Sequence, residues 1–223
     1  MGRPGWDRKT IEWTDETINP LPFQCKNKCS LNGEVYCYGY KKNFYKRLRW
    51  GTEPVLNLKC FERLPKHTHK MVFICSLHEI MGPWVPDEWI EAIIEECRKR
   101  PHLIFQFLTK NPLRYCDFLF PSNCWLGITA TKSEDTQVFG NGGHITFISF
   151  EPLLHRIKEA QLWDSDWVII GGLTGFKNGI IPKREWIEEI IETAKFMNPQ
   201  VKIFIKDNLK DVWGDSLIQE WPR

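Results

Sequence analysis

Six short apolar runs separated by amphipathic stretches constrain the fold of this sequence more than any other feature. The runs are rich in β-branched and aromatic residues and span 71–75, 103–108, 124–129, 145–150, 167–170 and 201–205. Near-continuous apolar runs of this length are typical of strands buried on both faces, as in a parallel sheet. Weaker strand candidates lie at 18–23 and 54–58.

Two of the intervening stretches have the periodicity of helices that cover a sheet. In 87–100 and 183–197, apolar residues recur at helical spacing on one face, and Pro86 and Pro182 precede the two stretches. Strands that alternate with helices form βαβ units, and about eight strands make a closed or nearly closed barrel. The sequence therefore predicts the α/β class, with a compact (β/α) barrel or partial barrel of parallel strands. We expect one domain over 1–223.

Composition sets expectations about partners and compartment. Lys and Arg number 30 against 28 Asp and Glu, and the net charge of +2 neither indicates nor excludes nucleic acid. No apolar run approaches the roughly 18 residues of a membrane helix. The first residues also lack the apolar run of a signal peptide. We therefore expect a cytoplasmic protein with no membrane association.

Three of the eight cysteines, Cys25, Cys29 and Cys37, cluster in a polar stretch at 24–39 that we interpret as a loop. A chain with its own core in a reducing compartment does not need disulfides, so metal binding by these three is the better interpretation. The other five lie apart in apolar segments, where we expect small buried side chains. They are Cys60, Cys75, Cys97, Cys116 and Cys124.

The spacing of the three cysteines bears on the metal. Thiolates favour zinc or iron–sulfur clusters. A structural zinc site uses four ligands, usually in two close pairs, whereas here the intervals are three and seven residues with no second pair downstream. This disfavours zinc. Three cysteines on a four-iron cluster leave one iron free to chelate S-adenosylmethionine, and electron transfer would then cleave that cofactor to a carbon radical.

Polar and glycine residues follow several predicted strands, at the end of a barrel where reactive groups lie. Glu151 follows 145–150 and precedes a proline, so it either points into a site or stabilises a helix start. Lys206 ends 201–205 and either meets a partner or anionic ligand or extends to solvent. The glycines of 171–175 either allow close approach of a ligand or form only a turn. Thr109, with Lys110, either contacts an anion or caps a loop.

Several sequence blocks occur in one order between Ile11 and Lys206. They are 11–15, 19–20, 37–39, 85–88, 105–110, 125–127, 150–154, 167–172 and 204–206. In these blocks the chain resembles a phage-associated three-cysteine family related to the radical S-adenosylmethionine superfamily, nearest in character to spore photoproduct lyase. The interval of seven residues before Cys37 departs from the family, which typically has two there.

The resemblance implies a radical S-adenosylmethionine enzyme with a barrel fold. Cys25, Cys29 and Cys37 would hold a [4Fe-4S] cluster, and Tyr36 would lie beside the adenine of S-adenosylmethionine. Where the family has Ser-Asp, this chain has 76–79, which makes Glu79 the equivalent acid. The remaining residues that would line the cofactor and substrate site are Ser76, Thr109, Glu151, Gly171, Gly172 and Lys206.

The partners implied are an electron donor and a substrate, with a nucleic acid or nucleotide as the candidate. The alternative function is a non-catalytic scaffold that binds zinc or an inert iron–sulfur cluster and works with a partner protein. Metal and sulfide content distinguish the two hypotheses.

Overall fold

The computed structural model describes residues 11–27, 29–31, 33–41, 43–136, 142–157, 165–173 and 180–222. Within these residues the strands are β1 (Glu16–Ile18), β2 (Ser30–Leu31), β3 (Glu34–Val35), β4 (Met71–Ile74), β5 (Ile104–Thr109), β6 (Cys124–Thr129), β7 (Thr146–Phe150), β8 (Trp167–Ile170) and β9 (Lys202–Ile205). Seven of them form one parallel sheet in the order β1-β4-β5-β6-β7-β8-β9. The sheet curls into a half-barrel. The α/β class and the partial barrel are therefore confirmed.

The helices are α1 (Tyr38–Lys41), α2 (Phe44–Leu48), α3 (Asp87–Arg98), α4 (Arg184–Met197) and α5 (Lys210–Trp213). Short 3-10 helices span Leu58–Arg63, Pro112–Asp117, Ser133–Thr136 and Asp207–Leu209. α3 and α4 agree with the two predicted helices. In the described part of the chain, no helix is both long and apolar enough to cross a membrane.

The predicted strand at 54–58 was wrong. Residues 54–57 form no strand, and the 3-10 helix Leu58–Arg63 begins directly after them. Asn57 caps this helix, because its side-chain Oδ1 accepts a hydrogen bond from the N–H of Lys59 at 3.1 Å. The other weak candidate, 18–23, overlaps the strand β1 only at Ile18. The described sheet therefore has seven strands where eight were expected.

The two faces of the sheet are buried by different layers. Buried isoleucines of α3 and α4 share one apolar cluster with Val72, Phe105 and Ile203 of the sheet. The opposite face carries a second cluster to which neither of these helices contributes. Its buried members are Trp13, Phe73, Trp125, Phe147, Trp167, Ile169 and Phe204. Since the helices cover the outer face, this aromatic cluster fills the interior of the half-barrel.

Strand register separates this aromatic interior from polar side chains nearer the carboxyl ends of the strands. Gly127 and Trp167 are both paired with Phe147, and a Cβ on Gly127 would lie 2.2 Å from the Phe147 ring. Two residues further along β6 and β7, Thr129 and Ser149 are paired with one another. Side chains alternate along a strand, so both hydroxyl groups face the interior above the aromatic cluster. The half-barrel is thus filled at its amino end and polar at its carboxyl end.

Side-chain and backbone contacts outside the sheet connect its two edges. The N–H of Asp207, just after β9, donates to the Glu12 carboxylate at 2.6 Å, and the indole of Trp221 donates to the Trp13 carbonyl oxygen at 3.3 Å. The C-terminal segment also runs beside β9, where the N–H of Ile205 donates to the Ile218 carbonyl oxygen at 2.7 Å. These contacts bring the segment before β1 to the β9 edge.

Candidate functional site

The loop that carries the three cysteines follows β1 at the carboxyl end of the sheet. The β2–β3 hairpin lies between Cys29 and Cys37, with Gly33 in a left-handed conformation at φ 81°. The carbonyl oxygen of Cys29 accepts hydrogen bonds from the N–H groups of Tyr36 at 3.0 Å and Cys37 at 3.2 Å. The interval of seven residues therefore folds back on itself and returns Cys37 to Cys29.

The thiols of Cys25 and Cys29 lie near the same backbone carbonyl group. The sulfurs of Cys25 and Cys29 each lie 3.9 Å from the carbonyl oxygen of Asn27. Burial, with a smaller contribution from the Cys37 thiol, raises the pKa of Cys25 to about 11 and also raises the pKa of Cys29. The structure therefore places the three cysteines on one loop, with the backbones of Cys29 and Cys37 in hydrogen-bond contact.

The three cysteines of the loop have the chemistry of iron–sulfur cluster ligands. All eight cysteines are free thiols. Among the described residues, there is no group of three His, Cys, Asp or Glu side chains that could hold a single metal ion. Thiolates on a four-iron cluster bind different irons, so they do not need to converge on a single ion. The same three thiols on one loop therefore suit a cluster as ligands.

Aromatic side chains fix the loop to the sheet. The hydroxyl of Tyr40 donates to the Cys25 carbonyl oxygen at 2.7 Å, and that of Tyr45 donates to the Leu77 carbonyl oxygen at 2.6 Å. A Cβ on Gly39 would lie 2.4 Å from the Tyr45 ring, so only glycine leaves room for that ring. Cys25, Tyr45 and Leu77 form a small buried cluster of their own. Cys25 is thus held by the Tyr40 hydroxyl and by packing against Tyr45 and Leu77.

Glu79 lies beside the thiols, at the carboxyl end of β4. Its carboxylate accepts hydrogen bonds from the Thr109 hydroxyl, the Lys110 N–H at 2.8 Å and the Met81 N–H at 3.2 Å. Burial raises its pKa, although these hydrogen bonds oppose the shift. The carboxylate also raises the pKa of Cys25. Thr109, predicted to contact an anion or cap a loop, donates to this internal carboxylate.

His78 and Ser76 follow β4 and have structural partners. The Nε2 atom of His78 accepts a hydrogen bond from the indole of Trp84 at 3.2 Å, so its Nδ1 carries the proton and donates to the Phe23 carbonyl oxygen at 3.2 Å. Burial lowers the pKa of His78 to about 4. Ser76 accepts a hydrogen bond from the Asn19 amide at 3.2 Å. The neutral His78 ring therefore supports the base of the loop.

Glu151 and Lys206 form an ion pair at the carboxyl ends of β7 and β9. Lys206 is only 7% exposed, so the interpretation as a lysine that extends to solvent was wrong. No helix begins at 152–157 within the described residues, so the helix-start role of Glu151 was also wrong. The prediction that a buried Lys206 needs a partner is confirmed.

The two glycines after β8 have different roles. A Cβ on Gly171 would lie 2.9 Å from the Lys206 side chain and 3.2 Å from that of Glu151, so this glycine makes room for the ion pair. Gly172 exchanges two hydrogen bonds with the side chain of Asn208, at 3.1 and 2.9 Å. The predicted segment continues to Thr174 and Gly175, which lie outside the described residues.

Tyr36 lies in the cysteine loop, within electrostatic range of the segment after β6. Burial, with smaller contributions from Cys29 and Asp135, raises its pKa to about 12. Asp135 is itself held by the N–H and hydroxyl of Thr131, both at 2.9 Å. Tyr36, predicted to lie near the adenine, is therefore close to the thiols and to one acid that the sequence analysis did not consider.

Sequence reasoning also missed two polar side chains in the half-barrel. The Ser149 hydroxyl and the Gln106 carbonyl oxygen are buried and have no hydrogen-bond partner within the part of the chain that the structure describes. Alternation within β7 was the available signal, since Ser149 lies two residues from Phe147 and from Glu151. Among the five other cysteines, burial is confirmed for four, whereas Cys116 is exposed and its prediction was wrong.

Comparison with known proteins places the chain in a family. A family model described as "Protein of unknown function (DUF5131)" matches residues 8–209. No curated protein and no solved structure matches the chain.

Proposed function

Because the chain belongs to the DUF5131 family, whose function is unknown, we propose an activity from its own residues, that of a radical S-adenosylmethionine enzyme. Cys25, Cys29 and Cys37 hold a [4Fe-4S] cluster in this proposal. The observation that carries it is the β2–β3 hairpin, which returns Cys37 to Cys29 at the carboxyl end of the half-barrel. When bound, such a cluster supplies an electron and one open iron for the amino and carboxylate groups of S-adenosylmethionine.

The loop residues prepare the thiols for this role. Metal binding requires thiolates, so the buried Cys25 and Cys29, with their raised pKa values, release protons when they bind iron. The neighbouring Lys110 favours the thiolate of Cys29. The Tyr40 hydroxyl holds the Cys25 backbone through the bond to its carbonyl oxygen. The Cys25 backbone is thus held by the protein, and its sulfur atom remains available to bind iron.

The residues around the thiols supply the pocket for S-adenosylmethionine. Glu79 brings a carboxylate close to Cys25 and Cys29, where it attracts the positively charged end of the cofactor. Tyr36 offers its ring to the adenine, and Ser76 and Thr109 line the same strand ends. The buried hydrogen bonds to Glu79 fix the orientation of its carboxylate.

In this proposal the substrate binds in the interior of the half-barrel. Its amino end is filled by the aromatic cluster around Trp167, so a substrate enters from the carboxyl end. There it meets the ion pair of Glu151 and Lys206, with Gly171 and Gly172 beside it. The proposal includes an external electron donor and a cytoplasmic location, where a reducing environment preserves the thiols.

Anaerobic purification followed by iron, sulfide and zinc analysis tests the proposal. We expect iron and sulfide, and release of 5′-deoxyadenosine from S-adenosylmethionine after reduction. Cys29→Ala should abolish this release, whereas Cys116→Ala, which removes an exposed thiol outside the loop, should leave it unchanged.

Two results would overturn the proposal. Stoichiometric zinc without iron would favour the scaffold alternative, in which a partner protein is required. Undiminished release of 5′-deoxyadenosine by the Cys29→Ala chain would disprove the assigned ligands.

A further inference from the structure

The net charge of the chain conceals a strongly basic segment at the cysteine loop. Residues 26–50 contain seven Lys or Arg and one acidic residue, Glu34, for a net charge of +6. The whole chain carries +2, so the remaining residues together carry −4. Positive charge is therefore concentrated in the segment that carries Cys29 and Cys37.

Four cations of this segment are exposed and have no acidic partner among the described residues. Lys26, Lys46, Arg47 and Arg49 are all exposed. Across the described ranges, none of the four takes part in an ion pair. The cations at the end of α3 differ, since each pairs with a glutamate one turn away. The four side chains are thus available to an external anion.

The backbone fixes these cations beside the candidate cluster ligands. The N–H of Trp50 donates to the Tyr45 carbonyl oxygen at 2.8 Å, and the N–H of Gln24 donates to the Gly51 carbonyl oxygen at 2.8 Å. Gln24 directly precedes Cys25. Together with the Tyr45 hydroxyl, these bonds tie α2 to both the cysteine loop and the strand end after β4. The positive charge therefore borders the mouth of the proposed active site.

We propose that Lys26, Lys46, Arg47 and Arg49 bind the phosphate backbone of a single-stranded nucleic acid and place it beside the cysteine loop. Regularly spaced phosphates are the polyanion that clustered, unpaired cations bind, with release of counterions. Phe44 and Trp50 are half-buried within the same segment, and Arg47 lies 5.3 Å from the Phe44 ring. Cations interleaved with aromatic rings are typical of single-strand binding.

One observation argues against a membrane surface, and one chemical argument favours a single strand over a duplex. α2 has only five residues, and Val35 is the one large apolar side chain of 26–50 that is exposed among the described residues. Membrane-surface helices need a broad apolar face, which this segment lacks. An enzyme that acts on a base must reach it outside the stack, which a single strand allows directly. This inference names the substrate class of the proposed function and rests on it.

Fluorescence anisotropy with a labelled single-stranded oligonucleotide of mixed sequence tests the inference on the full chain. The test variant is Lys46→Gln with Arg47→Gln and Arg49→Gln. The matched control is Lys59→Gln with Arg63→Gln and Lys66→Gln, three exposed cations in and after the 3-10 helix Leu58–Arg63. Thermal melting of both variants verifies that each is folded.

Each phosphate contact to a single strand contributes about 0.7 to the slope of log affinity against log salt. We expect the test variant to lower this slope by about 2 and the affinity by on the order of 100-fold at roughly 0.1 M salt. The control variant should stay close to the unsubstituted chain. Equal losses in both variants, or none in the test variant, would overturn the inference.

Two further anions separate this substrate class from the alternatives. Tighter binding to phosphatidylserine vesicles or to polyglutamate than to the oligonucleotide would also overturn it. The binding assay needs neither S-adenosylmethionine nor a reductant. An iron-loaded chain that cleaves the cofactor but does not bind the oligonucleotide refutes only this inference. A folded chain without iron that binds through the basic segment refutes only the proposed enzyme.

Discussion

At the residue scale, Gly171 determines whether the Glu151–Lys206 ion pair fits inside the half-barrel. A Cβ at this position would lie 2.9 Å from the Lys206 side chain and 3.2 Å from that of Glu151. We expect Gly171→Ala to displace the pair and to lower the free energy of unfolding by about 1–3 kcal/mol, the usual cost of overpacking. Urea unfolding of the purified variant measures this change.

Gly172 is the matched control for this prediction. The nearest atom to a Cβ there is a Leu209 methyl carbon at 3.3 Å, so Gly172→Ala should cost less than Gly171→Ala. Lys206→Met removes the ammonium group of the ion pair. In the Lys206→Met chain, Gly171→Ala should lower the free energy of unfolding by less than in the unsubstituted chain, because substitutions at neighbouring residues are coupled. Additive losses in the double variant would show that Gly171 does not act through the ion pair.

His78 gives the chain a pH-dependent stability. Its pKa is lowered to about 4 in the folded chain by burial, against 6.5 ordinarily, so folding favours the neutral ring. Its stabilisation is complete above pH 6.5 and is lost as the pH falls from 6.5 to 4, because the unfolded chain binds the proton first. We expect a loss of about 1 kcal/mol between about pH 7 and 5.5.

Urea unfolding at the two pH values, with His78→Gln and with the exposed His67→Gln as control, tests this assignment. The first variant should lose this part of the pH dependence, and the control should retain it. A His78→Gln chain as sensitive to pH as the unsubstituted one would contradict the assignment.

At the element scale, local pattern was sufficient for the six strong strands and the two long helices. Their signals, an apolar run or a helical period, are contained in a few consecutive residues. The segment 54–58 misled this reasoning because its apolar residues resemble a strand, whereas Asn57 caps a 3-10 helix there. A side-chain cap competes with strand pairing, and periodicity does not record it.

The site was predictable only in part, for a related reason. The three cysteines are close in sequence, so their cluster could be seen directly. The partner of Lys206 lies 55 residues away in Glu151, and only the parallel sheet brings them together. The β2–β3 hairpin was also not predicted, although Gly33 supplies its left-handed residue. Short elements inside a loop depend on single turn residues more than on periodicity.

At the scale of the whole molecule, average properties concealed local ones. The net charge of +2 gave no reason to expect a phosphate-binding surface, yet residues 26–50 carry +6. Likewise, about eight strands were expected in a closed or nearly closed barrel, whereas the described sheet is a half-barrel of seven strands connected at its edges by other contacts. Both differences arise because net charge and strand count are totals over the whole chain, and a total does not record where the charges or strands lie.

Closure of the half-barrel depends on the C-terminal segment, and Trp221 is its anchor. Its ring lies 5.0 Å from the Phe204 ring, and its indole N–H donates to the Trp13 carbonyl oxygen. Trp221→Ala should detach this segment, which supplies the acceptor for the N–H of Ile205 and, through Glu220, that of Ile203. We expect amide hydrogen exchange at Ile203 and Ile205 to accelerate at least tenfold, equivalent to about 1.4 kcal/mol of lost local protection.

Trp213→Ala provides the control, since Trp213 is also half-buried but packs on the helix-covered side and against Arg184, with its ring 4.8 Å from the guanidinium carbon. This variant should leave exchange at the two β9 amides unchanged. If both tryptophan variants accelerate exchange equally, the effect is a general loss of stability and Trp221 is not the anchor. If only Trp221→Ala does so, the C-terminal segment holds the β9 edge, and with it the position of Lys206 one residue beyond β9.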